Sequence, residues 1–107
     1  MSWTTVCHLD DILLNTGVAA LIDETQVAIF RVDDAVYALA NKDPFSNANV
    51  ISRGIICSIK GTLAVASPIY KQHFSLATGQ CLEDHSVSIA CYESRTKGDS
   101  VQILISH

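Results

Sequence analysis

The chain has 107 residues, of which 49% are apolar and 17% charged, and its formal net charge is -4. This length suits one globular domain, which we place at residues 1–107, and the composition excludes a disordered chain. Mild acidity without a basic stripe disfavours nucleic acid and membrane surfaces as partners. The first residues lack the basic and apolar regions of a signal peptide, and no apolar run is long enough to span a bilayer, so we expect a cytoplasmic protein.

Short apolar segments rich in β-branched and aromatic residues follow one another along the chain, separated by polar turns. Near the end, apolar and polar residues alternate strictly, as they do in half-buried strands. No segment keeps the 3.6-residue apolar period of a helix, so we predict an all-β fold. The predicted strands cover residues 3–7, 18–22, 26–32, 36–40, 55–57, 62–66, 73–76, 87–91 and 101–105, and residues 9–13 are predicted to form one helical turn.

The cysteines and histidines show none of the short spacings that mark a metal site. Three of the four cysteines lie in apolar segments predicted to be strands, so we expect reduced thiols that act mostly as small buried hydrophobic groups. Glu83 and Asp84 precede a histidine, but adjacent residues of an extended chain diverge, and we interpret them as a solvated turn. The cysteines are Cys7, Cys57, Cys81 and Cys91, and the histidines are His8, His73, His85 and His107.

Two loops, each placed directly after a predicted strand, both contain a proline. The first begins Asn41-Lys42-Asp43-Pro44-Phe45. The second reads Ser67-Pro68-Ile69-Tyr70-Lys71 and is followed by Phe74 and then by Thr78-Gly79. Proline ends a strand because it has no N–H to give to the sheet. Asn41 and Asp43 are residue types that hydrogen-bond within their own loop, and Tyr70 and Lys71 fit a core tyrosine and a solvated charge, so these local interpretations stay open.

In this order, the two loops resemble the ligand boxes of Rieske iron–sulfur domains, which carry Cys-x-His and Cys-Pro-x-His-Gly. The resemblance extends over residues 17–105. It implies an all-β, Rieske-like antiparallel β-sandwich with a smaller loop-bearing subdomain at about residues 41–79. It also implies that the four ligand positions hold Asn41, Asp43, Ser67 and Tyr70. A Rieske [2Fe–2S] centre needs two thiolates and two imidazoles, and hard oxygen donors suit it poorly, so we expect no cofactor, metal or catalytic residue in this chain.

Further short motifs make the resemblance specific to one family of Rieske-like domains. They are Gln26-Val27-Ala28-Ile29-Phe30-Arg31, Ser52-Arg53-Gly54, Val65-Ala66-Ser67-Pro68, Glu83-Asp84 and Tyr92-Glu93-Ser94-Arg95. Together they resemble the small subunits of bacterial assimilatory NAD(P)H-dependent nitrite reductases. This resemblance implies a non-catalytic subunit of an oxidoreductase that reduces nitrite to ammonia in nitrate assimilation. It implies a large subunit as partner, which carries FAD, an iron–sulfur cluster and sirohaem.

Two other functions remain open at this stage. One is a small redox protein that binds a metal or an iron–sulfur cluster through relocated cysteines and histidines. The other is a free-standing module that binds a small molecule. Iron content distinguishes a redox protein from a nitrite reductase subunit. Co-purification with a large subunit distinguishes a nitrite reductase subunit from a free-standing module.

The resemblance also implies a docking surface for the partner. In a Rieske fold the two box loops meet at one end of the molecule, so Phe45, Ile69, Tyr70 and Lys71 are expected to lie together there. Apolar and aromatic anchors ringed by charge are typical of protein interfaces. We therefore expect these residues to contact the large subunit.

Overall fold

The computed structural model describes residues 2–105. Antiparallel pairing organises this part of the chain into three sheets, and 3-10 turns lie at Leu9–Asp11 and Ile51–Arg53. The first sheet has the order β1-β10-β9, the second β2-β3-β4-β8 and the third β5-β6-β7. The strands are β1 (Ser2–His8), β2 (Gly17–Ile22), β3 (Thr25–Val32), β4 (Ala35–Ala40), β5 (Ile55–Ile59), β6 (Thr62–Ala66), β7 (His73–Ser75), β8 (Cys91–Tyr92), β9 (Ser94–Lys97) and β10 (Ser100–Ile105).

Strand β3 lies between two hydrophobic cores. Its residues 27–30 are all buried, and successive side chains of a strand point to opposite faces. Val27 and Ile29 pack in a core with Val101 and Ile103 of β10, which joins the first and second sheets into a sandwich. Ala28 and Phe30, which alternate with Val27 and Ile29 along β3, pack in the second of the two cores. A strand buried on both faces therefore reads as a continuous apolar run instead of an alternation.

The second core attaches the third sheet to the sandwich. Ala28 and Phe30 of β3 pack there with Val65 of β6 and with Phe74 of β7. Leu39 of β4 joins them, and all five of these residues are fully buried. The third sheet and its loops thus form a smaller unit that covers the outer face of the second sheet.

The predicted all-β fold is confirmed, including the β2–β4 meander, β10 and the helical turn after β1. The strand predicted over residues 87–91 is wrong in extent, because only Cys91–Tyr92 form a strand there. Residues 87–89 instead run beside residues 79–81, with one isolated bridge between Gln80 and Ser88. Ile89 is buried in the core as the alternation indicated, but Cys91 is exposed.

All four cysteines are free thiols, as expected, but they are less buried than predicted. Only Cys81 is fully buried, and Cys7 and Cys57 are half-buried. Cys91 is exposed because β8 has only two residues and lies at the edge of the second sheet. Its thiol donates to the carbonyl oxygen of Ala77 at 3.3 Å.

Candidate functional site

The two proline loops meet through a buried contact between side chains. Asp43 follows β4 and Ser67 follows β6, and neither residue has exposed surface. The Ser67 hydroxyl donates a hydrogen bond to one carboxylate oxygen of Asp43. The other oxygen accepts the backbone N–H of Phe45 at 2.9 Å. One carboxylate therefore shapes the first loop and fastens it to the second. We call residues 41–45 and 67–71 the tip.

Asn41, the first residue of the tip, is buried and joins its loop to β3 and to residues 49–52. Its amide nitrogen donates to the side chain of Gln26 at 3.0 Å and to the carbonyl oxygen of Asn49 at 3.3 Å. Its amide oxygen accepts the backbone N–H of Ser52 at 2.7 Å. The side chain therefore uses both donor hydrogens and one acceptor site for internal hydrogen bonds, which accounts for a buried polar residue at this position.

The outer surface of the tip is apolar. Tyr70, Ile69 and Phe45 have 59%, 44% and 36% of their surface exposed. The Phe45 ring also contacts the buried Phe74 ring, with centroids 6.3 Å apart. Lys71 is exposed, and its backbone N–H donates to the carbonyl oxygen of Ser67 at 3.0 Å, which closes the second loop.

The four residues predicted to occupy the Rieske ligand positions, Asn41, Asp43, Ser67 and Tyr70, do not fit an iron–sulfur cluster. Asp43 and Ser67 are hydrogen-bonded directly to each other, so both side chains are committed to an internal partner. Asn41 is committed to internal hydrogen bonds, and more than half of the surface of Tyr70 is exposed. Amide, carboxylate and hydroxyl oxygens also lack the softness that sulfide-bridged iron requires.

The alternative of a relocated metal site finds no support in the described residues. Within residues 2–105, no group of three or more His, Cys, Asp or Glu side chains is placed to hold a metal ion. The same part of the chain has no helix that is long and apolar enough to cross a membrane. A cavity of about 530 Å³ lies between β8, β10 and the β2–β3 turn, and no residue of the tip lines it.

Glu83, interpreted from the sequence as part of a solvated turn, has a structural role beside the tip. Its carboxylate accepts the backbone N–H of His73 at 2.7 Å and lies 2.6 Å from the ring nitrogen Nδ1 of the same residue. Partial burial acts to raise the pKa of Glu83, but the hydrogen bonds and the charge of His73 outweigh it and hold this pKa below its ordinary value. Asp84 fits the expected turn, since it hydrogen-bonds Ser86 in an exposed segment.

Several of these partners could not be found from the sequence. Gln26 holds Asn41 from β3, and Asn49 and Ser52 hold it from the later part of the same connection, and nothing in their local patterns indicates these contacts. The pairing of His73 with Glu83 is likewise invisible to a motif search, because the residues are 10 positions apart on neighbouring extended segments. The only usable signal was the polar, loop-forming chemistry of residues 41–49.

The fold defines a Rieske-like β domain, and the loops of its tip carry the oxygen side chains of Asn41, Asp43, Ser67 and Tyr70. Residues 2–104 match the Rieske-like [2Fe-2S] domain family. The nitrite reductase (NADH) small subunit of Escherichia coli strain K12 is 48% identical over 103 residues, which cover 94% of this chain and 95% of that protein. The chain therefore belongs to the nitrite reductase small-subunit family, within the Rieske-like domains.

Two further relatives extend this comparison. The solution NMR structure of the nitrite reductase [NAD(P)H] small subunit from Erwinia carotovora is 52% identical. It superimposes with a TM-score of 0.85, over 100% of this chain and 85% of that one. The nitrite reductase [NAD(P)H] large subunit of Klebsiella oxytoca is 36% identical over 101 residues, which are 94% of this chain but 11% of that protein. A domain similar to this chain thus occurs inside a large-subunit polypeptide.

Proposed function

We propose that this chain is the non-catalytic small subunit of a cytoplasmic NAD(P)H-dependent nitrite reductase and that it binds the large subunit. The observation that carries the proposal is the 48% identity to a named small subunit over nearly the whole length of both chains. The Klebsiella oxytoca relative supports the partner, because there a similar domain is covalently part of the large subunit. A separate chain has to achieve by binding what a fused domain has by covalent linkage.

In this proposal the chemistry belongs entirely to the large subunit. That subunit would carry FAD, an iron–sulfur cluster and sirohaem, and the complex would reduce nitrite to ammonia in nitrate assimilation. The oxygen side chains at positions 41, 43, 67 and 70 support a chain without an electron carrier, because none of them is a thiolate or an imidazole. The small subunit would then contribute a binding surface.

The proposal treats residues 1–107 as one domain, with a loop-bearing lobe at about residues 41–79. The two cores described above support this division, since Phe74 and Val65 of the lobe pack directly on β3. Neither nucleic acid nor a membrane is included among the partners, which agrees with a net charge of -4.

Co-expression with the large subunit of the same organism tests the proposal. The large subunit carries an affinity tag, and this chain is untagged. We expect co-purification at a fixed ratio, and we expect iron and acid-labile sulfide in the complex but not in the separately purified small chain. Nitrite-dependent oxidation of NADH and of NADPH is then compared with and without the small chain. Lack of association overturns the proposal in favour of a free-standing module. Near-stoichiometric iron and sulfide in the isolated chain overturns it in favour of a redox protein.

A further inference from the structure

The tip presents an apolar surface on a rigid support. Ile69 and Tyr70 are exposed on the second loop, and Phe45 is partly exposed on the first. The hydrogen bond between Ser67 and Asp43 fixes one loop to the other, and the contact between the Phe45 and Phe74 rings fixes the first loop to the core. Aromatic residues that are held in place before binding lose little conformational entropy when they become buried.

The exposed charges of the tip have the opposite sign to the chain as a whole. The net charge of the chain is -4. Within the tip, Lys42 and Lys71 are the exposed charged residues, and Asp43, its one acidic residue, is fully buried. Two exposed lysines without an exposed carboxylate in the tip favour a partner surface that carries carboxylates, because complementary charges steer association and exclude wrong partners.

Lys71 adopts a backbone conformation that favours glycine. Its φ is +61°, in the left-handed region where a Cβ is sterically unfavourable. Lys60 also lies in this region, at +49°, and Gly61 follows at +83° in the two-residue turn between β5 and β6, a geometry that hairpin turns require. At both positions glycine would relieve the steric cost. Lys71 differs from Lys60 in its place, because it lies directly beside the exposed Tyr70 of the tip, where its charge is available to a partner.

We propose that the tip is the surface by which this chain docks on the nitrite reductase large subunit, with Tyr70, Ile69 and Phe45 as apolar anchors and Lys71 facing a carboxylate of that subunit. This inference rests on the proposed function, which names the partner. The large subunit is the occupant favoured by the Klebsiella oxytoca relative, in which a similar domain and the large-subunit sequence are one polypeptide. The acidic partner surface follows from the two exposed lysines of the tip.

The apolar anchors are tested by measuring the Kd of the full-length chain for the purified large subunit. Tyr70→Ala alone, and combined with Phe45→Ala, should fold as judged by circular dichroism and thermal midpoint. The double variant should bind about thirtyfold more weakly or worse, the scale of an interface hot spot. Tyr70→Ala alone leaves the contact between Phe45 and Phe74 in place, so it still tests the surface if the double variant is less stable. Lys97→Ala, near the last hairpin turn, is the control and should bind like the wild type.

The charge is tested with a matched pair of variants, Lys71→Gly and Lys60→Gly. Each removes one positive charge from a left-handed position, and Lys60 lies at the opposite end of β6 from the tip. Both variants should unfold at a temperature equal to or above that of the wild type. Only Lys71→Gly should weaken binding, by about fivefold at low salt, and this difference should shrink as salt screens the charge.

The two proposals fail in different ways. If the wild type binds the large subunit and the Tyr70 and Lys71 variants bind equally well, the docking surface lies elsewhere and the proposed function stands. If the wild type does not bind, the proposed function fails first. If sedimentation shows self-association of the wild type that Tyr70→Ala abolishes, the tip is a contact between copies of this chain and the docking proposal is overturned.

Discussion

Asp43 and Ser67 lie on different loops, 24 residues apart in the sequence, and the Ser67 hydroxyl donates a hydrogen bond to the Asp43 carboxylate at a site without solvent exposure. A buried polar group is costly unless it is paired, so each of these side chains depends on the other. The contact joins the end of β4 in the second sheet to the end of β6 in the third. It therefore ties the loop that follows the second sheet to the loop that follows β6, and so shapes the tip.

We expect Ser67→Ala and Asp43→Ala each to lower the free energy of unfolding by about 1–3 kcal/mol, because each change leaves a buried polar group without its partner. The double variant should lose less than the sum of the two, since the shared interaction is removed only once. Urea unfolding monitored by circular dichroism gives all three values. Ser86→Ala, which removes a hydroxyl from an exposed turn, should change stability by no more than about 0.5 kcal/mol. Strict additivity of the two tip substitutions would show that Asp43 and Ser67 do not stabilise each other.

The pairing of Glu83 with His73 predicts a dependence of stability on acid. The pKa of Glu83 is held below its ordinary value of 4.5 in the folded chain, so the unfolded chain takes up a proton first as pH falls. The stabilisation is therefore complete above about pH 4.5 and is lost as pH falls further, through the pKa of the folded state.

Glu83→Gln should flatten the dependence of unfolding free energy on pH below about pH 4.5, because the amide does not titrate. Urea unfolding over a series of acetate and formate buffers measures the slope. Glu93→Gln, at another exposed carboxylate, is the matched control and should leave the slope close to that of the wild type. An unchanged slope for Glu83→Gln would mean that the bond to His73 does not persist in solution.

Two glycines in the left-handed region give a comparison of backbone strain with steric overlap. At Gly79, with φ of +79°, a Cβ would lie 2.2 Å from the carbonyl oxygen of Ile89. At Gly98, with φ of +60°, a Cβ would meet no atom within 4 Å. We expect Gly98→Ala to cost about 1 kcal/mol of stability from conformation alone, and Gly79→Ala to cost more than about 2 kcal/mol. Equal losses in urea unfolding would show that the segment around Ile89 moves aside freely.

The thiols should differ in reactivity toward Ellman's reagent. Without reductant, the denatured chain should show all four thiols, since the structure contains four free cysteines. In the native chain Cys91 should react before the buried Cys81. Partial burial raises the pKa of the Cys91 thiol, so its reaction at neutral pH should be slower than that of a fully solvated cysteine. Fewer than four thiols in denaturant would reveal a disulfide in solution.

The sequence by itself determined the strands whose side chains alternate and the places where proline and polar residues interrupt them. Residues 101–105 are the clearest example, because Val101, Ile103 and Ile105 are buried and the residues between them are not. Alternation is a local property, fixed by the two-residue repeat of an extended chain. The two box loops were also recognisable, because proline and Asn or Asp mark loops through their own backbone chemistry.

Only the tertiary structure decided which residues those loops contact. The run at residues 26–32 predicted a strand, but the burial of residues 27–30 and their division between two cores depend on sheets formed by distant segments. The alternation at residues 87–91 indicated a strand, but the chain there pairs irregularly with residues 79–81. Asp43 looked like a residue that bonds within its own loop, and one of its oxygens does so. Its second oxygen bonds Ser67, because Leu39 of β4 and Val65 of β6 pack in the same core, and no pattern near Asp43 indicates that packing.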